Sequence, residues 1–253
     1  MLLSPAMKMP SLLSCLFACL LVALPASAQL PGAGQSGMNA ALLKLFGDMD
    51  AFTARAEVAY QDKGARQDVT MPMGFALLDG KLRLELDLAQ MKSALVPTQM
   101  LASLKMAGLD KAVTIIRPDR KTAVLVYPGI GSYVEMPMSK DEAADWQRRY
   151  TVDQKKLGRE TVDGRSCDKQ RVTVTGDNGS RHEATVWYSQ EARPVPVKLQ
   201  MAQPGATVTM LFRDVKLIRP AVSQFEIPPG LKKYATVEQL TQAAMIQALS
   251  GGK

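Results

Sequence analysis

Histidine is nearly absent: His182 is the only one in 253 residues, and no Gly-x-Ser-x-Gly elbow accompanies it. A Ser/His/Asp hydrolase therefore has nothing to assemble from. Strand alternation puts His182 in a row with Ala184, Val186 and Tyr188 or at the strand's frayed start, neither of them a place for a general base. Cysteine is as scarce. Of three, Cys15 and Cys19 fall among the first 28 residues and leave Cys167 alone, with no CxxC partner and no disulfide to make. A lone thiol in a strand reads as a small buried hydrophobe. Aromatics are few, with six phenylalanines and six tyrosines, and the basic residues are scattered, so no stacking platform for nucleic acid is present. There is no zinc ligand set and no phosphate-cradling glycine loop. Beyond the amino terminus no apolar run reaches about 18 residues. These absences exclude the common catalytic chemistries, and no cofactor is expected.

What is present begins with an export signal. Met1 to Lys8 carries one positive charge, Leu12 to Leu24 is uncharged and apolar, and Pro25-Ala26-Ser27-Ala28-Gln29 supplies an Ala-x-Ala cleavage site. Residues 1–28 are thus expected to be a signal peptide cleaved after Ala28, with 29–37 a flexible leader and 38–253 one domain in the periplasm of a Gram-negative-type envelope. A competing lipobox, Leu12-Leu13-Ser14-Cys15, would leave most of the apolar run on the mature chain and almost none ahead of the cut. Removing the signal peptide takes only Lys8 from the charge balance and leaves six of the seven net positive charges. That balance admits a weak contact with an anionic membrane surface.

Period-two alternation dominates the rest. Phe52, Ala54, Ala56, Val58 and Tyr60 form one apolar row, and Met71, Met73, Phe75 and Leu77 a second. Leu82, Leu84, Leu86 and Leu88 make a third, Val195, Val197, Leu199 and Met201 a fourth. Asp79-Gly80, Asp163-Gly164 and Asn178-Gly179 mark hairpin turns, and Pro118-Asp119 another. The pattern predicts eleven strands, at 52–61, 67–78, 80–88, 112–117, 121–127, 131–136, 152–161, 165–175, 181–190, 195–202 and 205–217. Short connections make them an antiparallel meander, and a sheet this long should curl into an unclosed barrel. The fold class expected is mainly β, with a few helices as lid or plug.

Four helices are expected. Asn39 to Phe46 precedes the first strand. Pro97 opens a second, with Met100, Leu101 and Leu104 on one side and Gly108 at its end. Ser139-x-x-Glu142 is a capping box for a third that carries Trp146, and Thr236-x-x-Gln239 starts the last, over 236–249. The middle two interrupt the sheet where they could cover its concave face.

Methionine is the biased residue: three of fifteen lie in the signal peptide, leaving twelve, two pairs of them in Met-Pro-Met triplets at Met71–Met73 and Met136–Met138. Exposed thioethers suit cuprous copper. Methionine also lines cavities that adapt to varied guests, and Met71 and Met73 continue the row of Phe75 and Leu77. The apolar-ligand site expected on the concave face comprises Met71, Met73, Phe75, Leu77, Leu84, Leu86, Met100, Leu101 and Leu104, with no metal assigned.

Several stretches of the carboxy-terminal half are shared with a known group. They are Leu157-Gly158-Arg159-Glu160-Thr161-Val162-Asp163-Gly164-Arg165-Ser166-Cys167-Asp168-Lys169, Ala184-Thr185-Val186-Trp187, Pro194-Val195-Pro196-Val197-Lys198 and the closing Phe225-Glu226-Ile227-Pro228-Pro229-Gly230-Leu231-Lys232-Lys233-Tyr234. Over 156–234 the chain resembles the LolA/LolB-like superfamily of periplasmic lipoprotein carriers and receptors, most nearly an uncharacterised LolA-like family within it. The resemblance implies an unclosed barrel of about eleven strands, helices over an apolar cavity, and non-enzymatic binding of lipid, lipoprotein acyl chains or similar hydrophobic ligands. The partner implied is a hydrophobic ligand or a lipidated protein. The chain departs from the carriers in its added helix over Thr236–Leu249. An envelope sensor of the same fold and a methionine-based copper protein are the alternatives.

Overall fold

The structure, a computed structural model, describes residues 36–46, 49–62, 68–93, 96–191, 194–203 and 206–250. The signal peptide, Cys15 and the leader up to residue 35 lie outside the described residues. One large curved sheet, not closed into a barrel, makes up most of the molecule. Its strands are β1 (Ala51–Asp62), β2 (Asp68–Leu78), β3 (Lys81–Asp87), β4 (Lys92–Ser93), β5 (Lys111–Arg117), β6 (Thr122–Tyr127), β7 (Ser132–Pro137), β8 (Tyr150–Val162), β9 (Arg165–Gly176), β10 (Arg181–Ser189), β11 (Pro196–Gln203), β12 (Ala206–Lys216) and β13 (Lys232–Tyr234). Four α-helices accompany them: α1 (Ser36–Leu43), α2 (Thr98–Met106), α3 (Lys140–Gln147) and α4 (Val237–Leu249).

Thirteen strands replace the eleven expected. The additions, β4 and β13, have two and three residues, too short to show alternation. β13 also pairs parallel to β7, so no hairpin turn announces it. The strand order is β13-β7-β6-β5-β3-β2-β1-β12-β11-β10-β9-β8, with β4 beside β2. The sheet is therefore two meanders that meet at a β1–β12 seam. From β7 at one side the chain passes through α3 to β8 at the far edge. It then works inward to β12 and returns by 217–231 to β13.

We call the face carrying α1 the inner face. The rows of β1 and β2 lie there, packed with Val172, Val174, Ala184, Val186, Leu199, Met201, Val208, Met210 and Phe212 of the second meander. Asp79 and Gly80 both take left-handed backbone (φ 49° and 78°), as the two-residue turn between β2 and β3 requires. The outer face of the first meander is covered by the returning segment, whose Phe225 is buried among Ala51, Ala76, Leu78, Val113, Ile115, Val124 and Val126. Arg117 clamps this segment. Its guanidinium donates to the Phe225 carbonyl at 3.0 Å and to Glu226 at 2.6 Å, and pairs with both Asp119 oxygens at 2.8 and 2.9 Å.

Three smaller expectations are corrected. The first helix starts at Ser36, inside the expected leader, and tightens into a 3₁₀ turn over Lys44–Phe46. Leu88 leaves its strand row for a 3₁₀ turn over Leu88–Gln90, because Asp87 caps the Ala89 amide at 3.1 Å. Val195, Val197, Leu199 and Met201 do not form one row. A bulge opposite Trp187 and Tyr188 inserts one residue into β11 and so reverses the faces beyond it. Val197 accordingly packs with Val162, Cys167 and Trp187, apart from Leu199 and Met201.

Candidate functional site

Among the described residues the inner face carries the largest hydrophobic cluster, and helices roof it. Alternation in β2 brings Met71, Met73, Phe75 and Leu77 into the main cluster, with Met73 and Leu77 fully buried and Met71 and Phe75 half-buried. Pairing of β2 with β3 sets Leu84 opposite Phe75 and Leu86 opposite Met73. Six of the nine expected residues thus share one surface. The other three do not join it. Leu104 packs with Ala107, Leu109, Val134, Leu240 and Ala244, while Met100 and Leu101 stand half-buried outside every cluster. α2 is held away from the β2 row by a glycine contact: Gly108, which ends it at φ 66°, lies so close to Gly129 that a Cβ on either would meet the other's backbone at 2.5–2.9 Å. Only glycine at both positions permits that approach.

The roof over β1 to β3 comes from α1 and α3. The turn after α1 drives Leu45 and Phe46 into the interior. The Phe46 ring stacks on Phe52 with centroids 4.3 Å apart and meets Phe212 edge-on at 5.3 Å. The Tyr188 hydroxyl donates to the Leu45 carbonyl at 3.1 Å, and burial pushes its pKa up to about 12. α3 starts from the expected capping box, with Ser139 and Glu142 bonded reciprocally at 3.2 and 2.7 Å. It lays Trp146 with Met138 and Leu43 against Leu82, Leu84 and Ile116. The Trp146 Nε1 is buried and is the one buried side-chain polar atom among the described residues without a hydrogen-bond partner. A donor in that state costs about 1–3 kcal/mol relative to a satisfied one. Neither feature had a sequence signal beyond the capping box, since an indole's partner depends on what the crossover helix passes over.

The same face is amphipathic at its far side. An open groove of about 250 Å³ runs from Leu45 and Phe46 to Gln154, Asp168, Gln170 and Tyr188. There the Asp168 carboxylate accepts from Arg159 at 3.1 Å and from Gln190 at 3.2 Å. A second open groove of about 450 Å³ lies among Thr53, Arg55, Gly74, Ala76, Arg83 and Glu85. Arg83 bridges to Glu85 at 2.7 Å and to the Gln224 carbonyl at 3.0 Å.

The remaining candidates are dispersed. His182 is half-buried at the start of β10, opposite Val174. Cys167 is fully buried, and desolvation raises its pKa, which suppresses the thiolate. The Met-Pro-Met triplets sit on β2 and at the end of β7, four strand spacings apart in the sheet order, or about 19 Å along it. Met136 packs near Val134 and Met138 near Leu84, so the triplets do not form one thioether cluster. Among the described residues no three His, Cys, Asp or Glu side chains group to hold a metal ion. No helix there is long and apolar enough to cross a membrane.

No protein-family model matches the chain, and no curated protein matches it. Among solved structures it is similar to the lipoprotein LppX of Mycobacterium tuberculosis, at 11% identity over 71% of this chain and 93% of that one, with a TM-score of 0.37. It is similar to a LolA superfamily protein of Nitrosomonas europaea, at 11% identity over 76% and 97%, with a TM-score of 0.35. A third is MucB in its complex with MucA from Pseudomonas aeruginosa, at 13% identity over 77% and 62%, with a TM-score of 0.34.

Proposed function

We propose that this is an exported, non-enzymatic binding protein for a lipid or the acyl chain of a lipidated protein, working in the periplasm after cleavage behind Ala28. The domain of residues 38–253 holds the ligand against the inner row of Met71, Met73, Phe75, Leu77, Leu84 and Leu86. The observation that carries this reading is the roof. The largest apolar face is covered by short helices instead of by a second sheet, and one buried indole donor beneath them lacks an acceptor.

The energetics permit exchange. Exposing Leu45 and Phe46 costs about 1.5–3 kcal/mol for each side chain. An acyl chain buried in their place returns about 0.8 kcal/mol per methylene, so some eight methylenes offset the displacement. Methionine and phenylalanine along the row adapt to a flexible guest at low strain. An ester or carboxyl oxygen at the head of the chain would accept from Trp146 Nε1, which selects acyl compounds over plain hydrocarbons.

Native mass spectrometry of the protein purified from the envelope tests this directly, with a retained lipid expected as added mass. Phe75→Arg should abolish binding of a fluorescent fatty acid and leave the circular dichroism of the sheet unchanged. Trp146→Phe should weaken the fatty acid several-fold and leave binding of a matched hydrocarbon probe as it was. Wild-type protein with no retained lipid and no probe binding would overturn the proposal.

A further inference from the structure

The two edges of the sheet are unequal. One is β13, three residues long. The other is β8, thirteen residues long, which pairs only with β9. Its residues 151–161 are exposed on both faces. The outward backbone groups of such a strand are a template for another strand. β8 carries the usual deterrents: Lys155, Lys156, and a bulge between Lys156 and Gly158, where Gly158 has φ 126°. Among the described residues, Asp153, Lys155 and Lys156 form no ion pair, while Arg159 and Glu160 farther along the strand pair with Asp168 and Lys169.

These deterrents leave one arrangement open. We propose that two copies of this chain pair β8 to β8, antiparallel, about a twofold axis through Gln154. In that register Asp153 of each copy faces Lys155 of the other, the two Gln154 amides meet, and Val152 lies along the methylenes of Lys156. The faces agree. Pairing with β9 puts Val152, Gln154 and Lys156 opposite Val174, Val172 and Gln170, and Asp153 and Lys155 on the reverse side. A twofold through a residue keeps every pair on one face. Moving the axis one residue either way sets Asp153 against Asp153 or Lys155 against Lys155, and like charges directly opposite are destabilising. The charges that repel other strands thus select this partner and this register. Only five residues per copy pair ahead of the bulge, so the dimer is weak and concentration-dependent.

Engineered cysteines read the register. In Gln154→Cys the two introduced thiols lie at the axis, about 4.5–5.5 Å apart between α-carbons, and mild oxidation should join them. In Val152→Cys they lie about 14 Å apart along the strands, beyond disulfide reach. Peptide mass mapping locates the bond, and buried Cys167 gives little background. Sedimentation velocity over a concentration series should show wild-type dimer. Asp153→Lys and Lys155→Asp should each abolish it, and the double exchange should restore it, all with unchanged circular dichroism. A chain that stays monomeric at every concentration, equal cross-linking at both positions, or no rescue by the double exchange would each overturn the proposal. The result does not depend on whether a lipid binds.

Discussion

Truncating Phe46 to alanine separates the two jobs that its ring would do. The ring is buried and makes a stacked contact with Phe52 and an edge contact with Phe212. Removing a core phenylalanine costs about 3–5 kcal/mol through lost transfer energy and the cavity left behind. The aromatic contacts supply about 0.5–1.5 kcal/mol of it. The Leu45 carbonyl remains for Tyr188, so the turn itself keeps its anchor. Urea unfolding should therefore show a lower midpoint with little change in slope. If a ligand enters where Phe46 sits, the variant no longer has that ring to expose, which removes about 1.5–3 kcal/mol from the exchange. The affinity for a fluorescent fatty acid should then rise roughly 10- to 100-fold, since about 1.4 kcal/mol is one decade. Stability and affinity move in opposite directions. Affinity that is unchanged, or that falls along with stability, would refute the idea that ligand and plug compete for one place.

Leu84→Asp buries a carboxylate among Leu82, Ile116 and Trp146 and should cost several kcal/mol, whereas Glu85→Gln on the exposed side should stay within about 0.5 kcal/mol; urea unfolding compares them. Arg117 holds the Asp119 and Glu226 carboxyls below their usual range by hydrogen bonding, and Arg120 adds to the effect on Glu226. Their folded pKa values are depressed, so this stabilisation is present above about pH 4 and is lost as pH falls through the folded values. The melting-temperature gap between wild type and the Asp119→Asn, Glu226→Gln double variant should accordingly close on acidification. Tyr188 titrates at about 12 when folded and near 10 when unfolded. Wild-type stability should then fall between those pH values by more than that of Tyr188→Phe, as measured by thermal melts.

The rows of β1 and β2 were legible because each strand packs one face beneath the helices and leaves much of the other wetter, so alternation survives in Phe52–Tyr60 and Met71–Leu77. Capping chemistry placed α3 and α4 for the same local reason: Ser139 and Thr236 bond amides three residues on. What escaped was set by distant partners. The bulge at Val197 is a mismatch between two strands and leaves no mark in β11 alone. α2 looked like a lid for the Met71 row, yet the Gly108–Gly129 contact fixes it elsewhere, and two separated glycines say nothing of each other in sequence. Phe225 was visible only as part of a shared motif. Its burial follows from a tail that doubles back across the outer face. The inner row of the candidate site could be read in advance, but the orphan indole of Trp146 could not, because a missing partner is a property of the packed state.

The β1–β12 seam sets a timetable for folding. β1 is the first strand made, yet one of its two edges has no neighbour until β12 exists, with Arg55 opposite Arg213 and Val58 opposite Met210. Each meander is local and can zip up hairpin by hairpin. Joining them means closing a loop of most of the chain, the kind of distant contact that slows β proteins into the millisecond-to-second range. Until then β1 offers a long strand edge beside the apolar row that the second meander will cover. A chain emerging amino terminus first would hold that surface open until β12 is made, so the half-built sheet is the stage most exposed to wrong strand pairing.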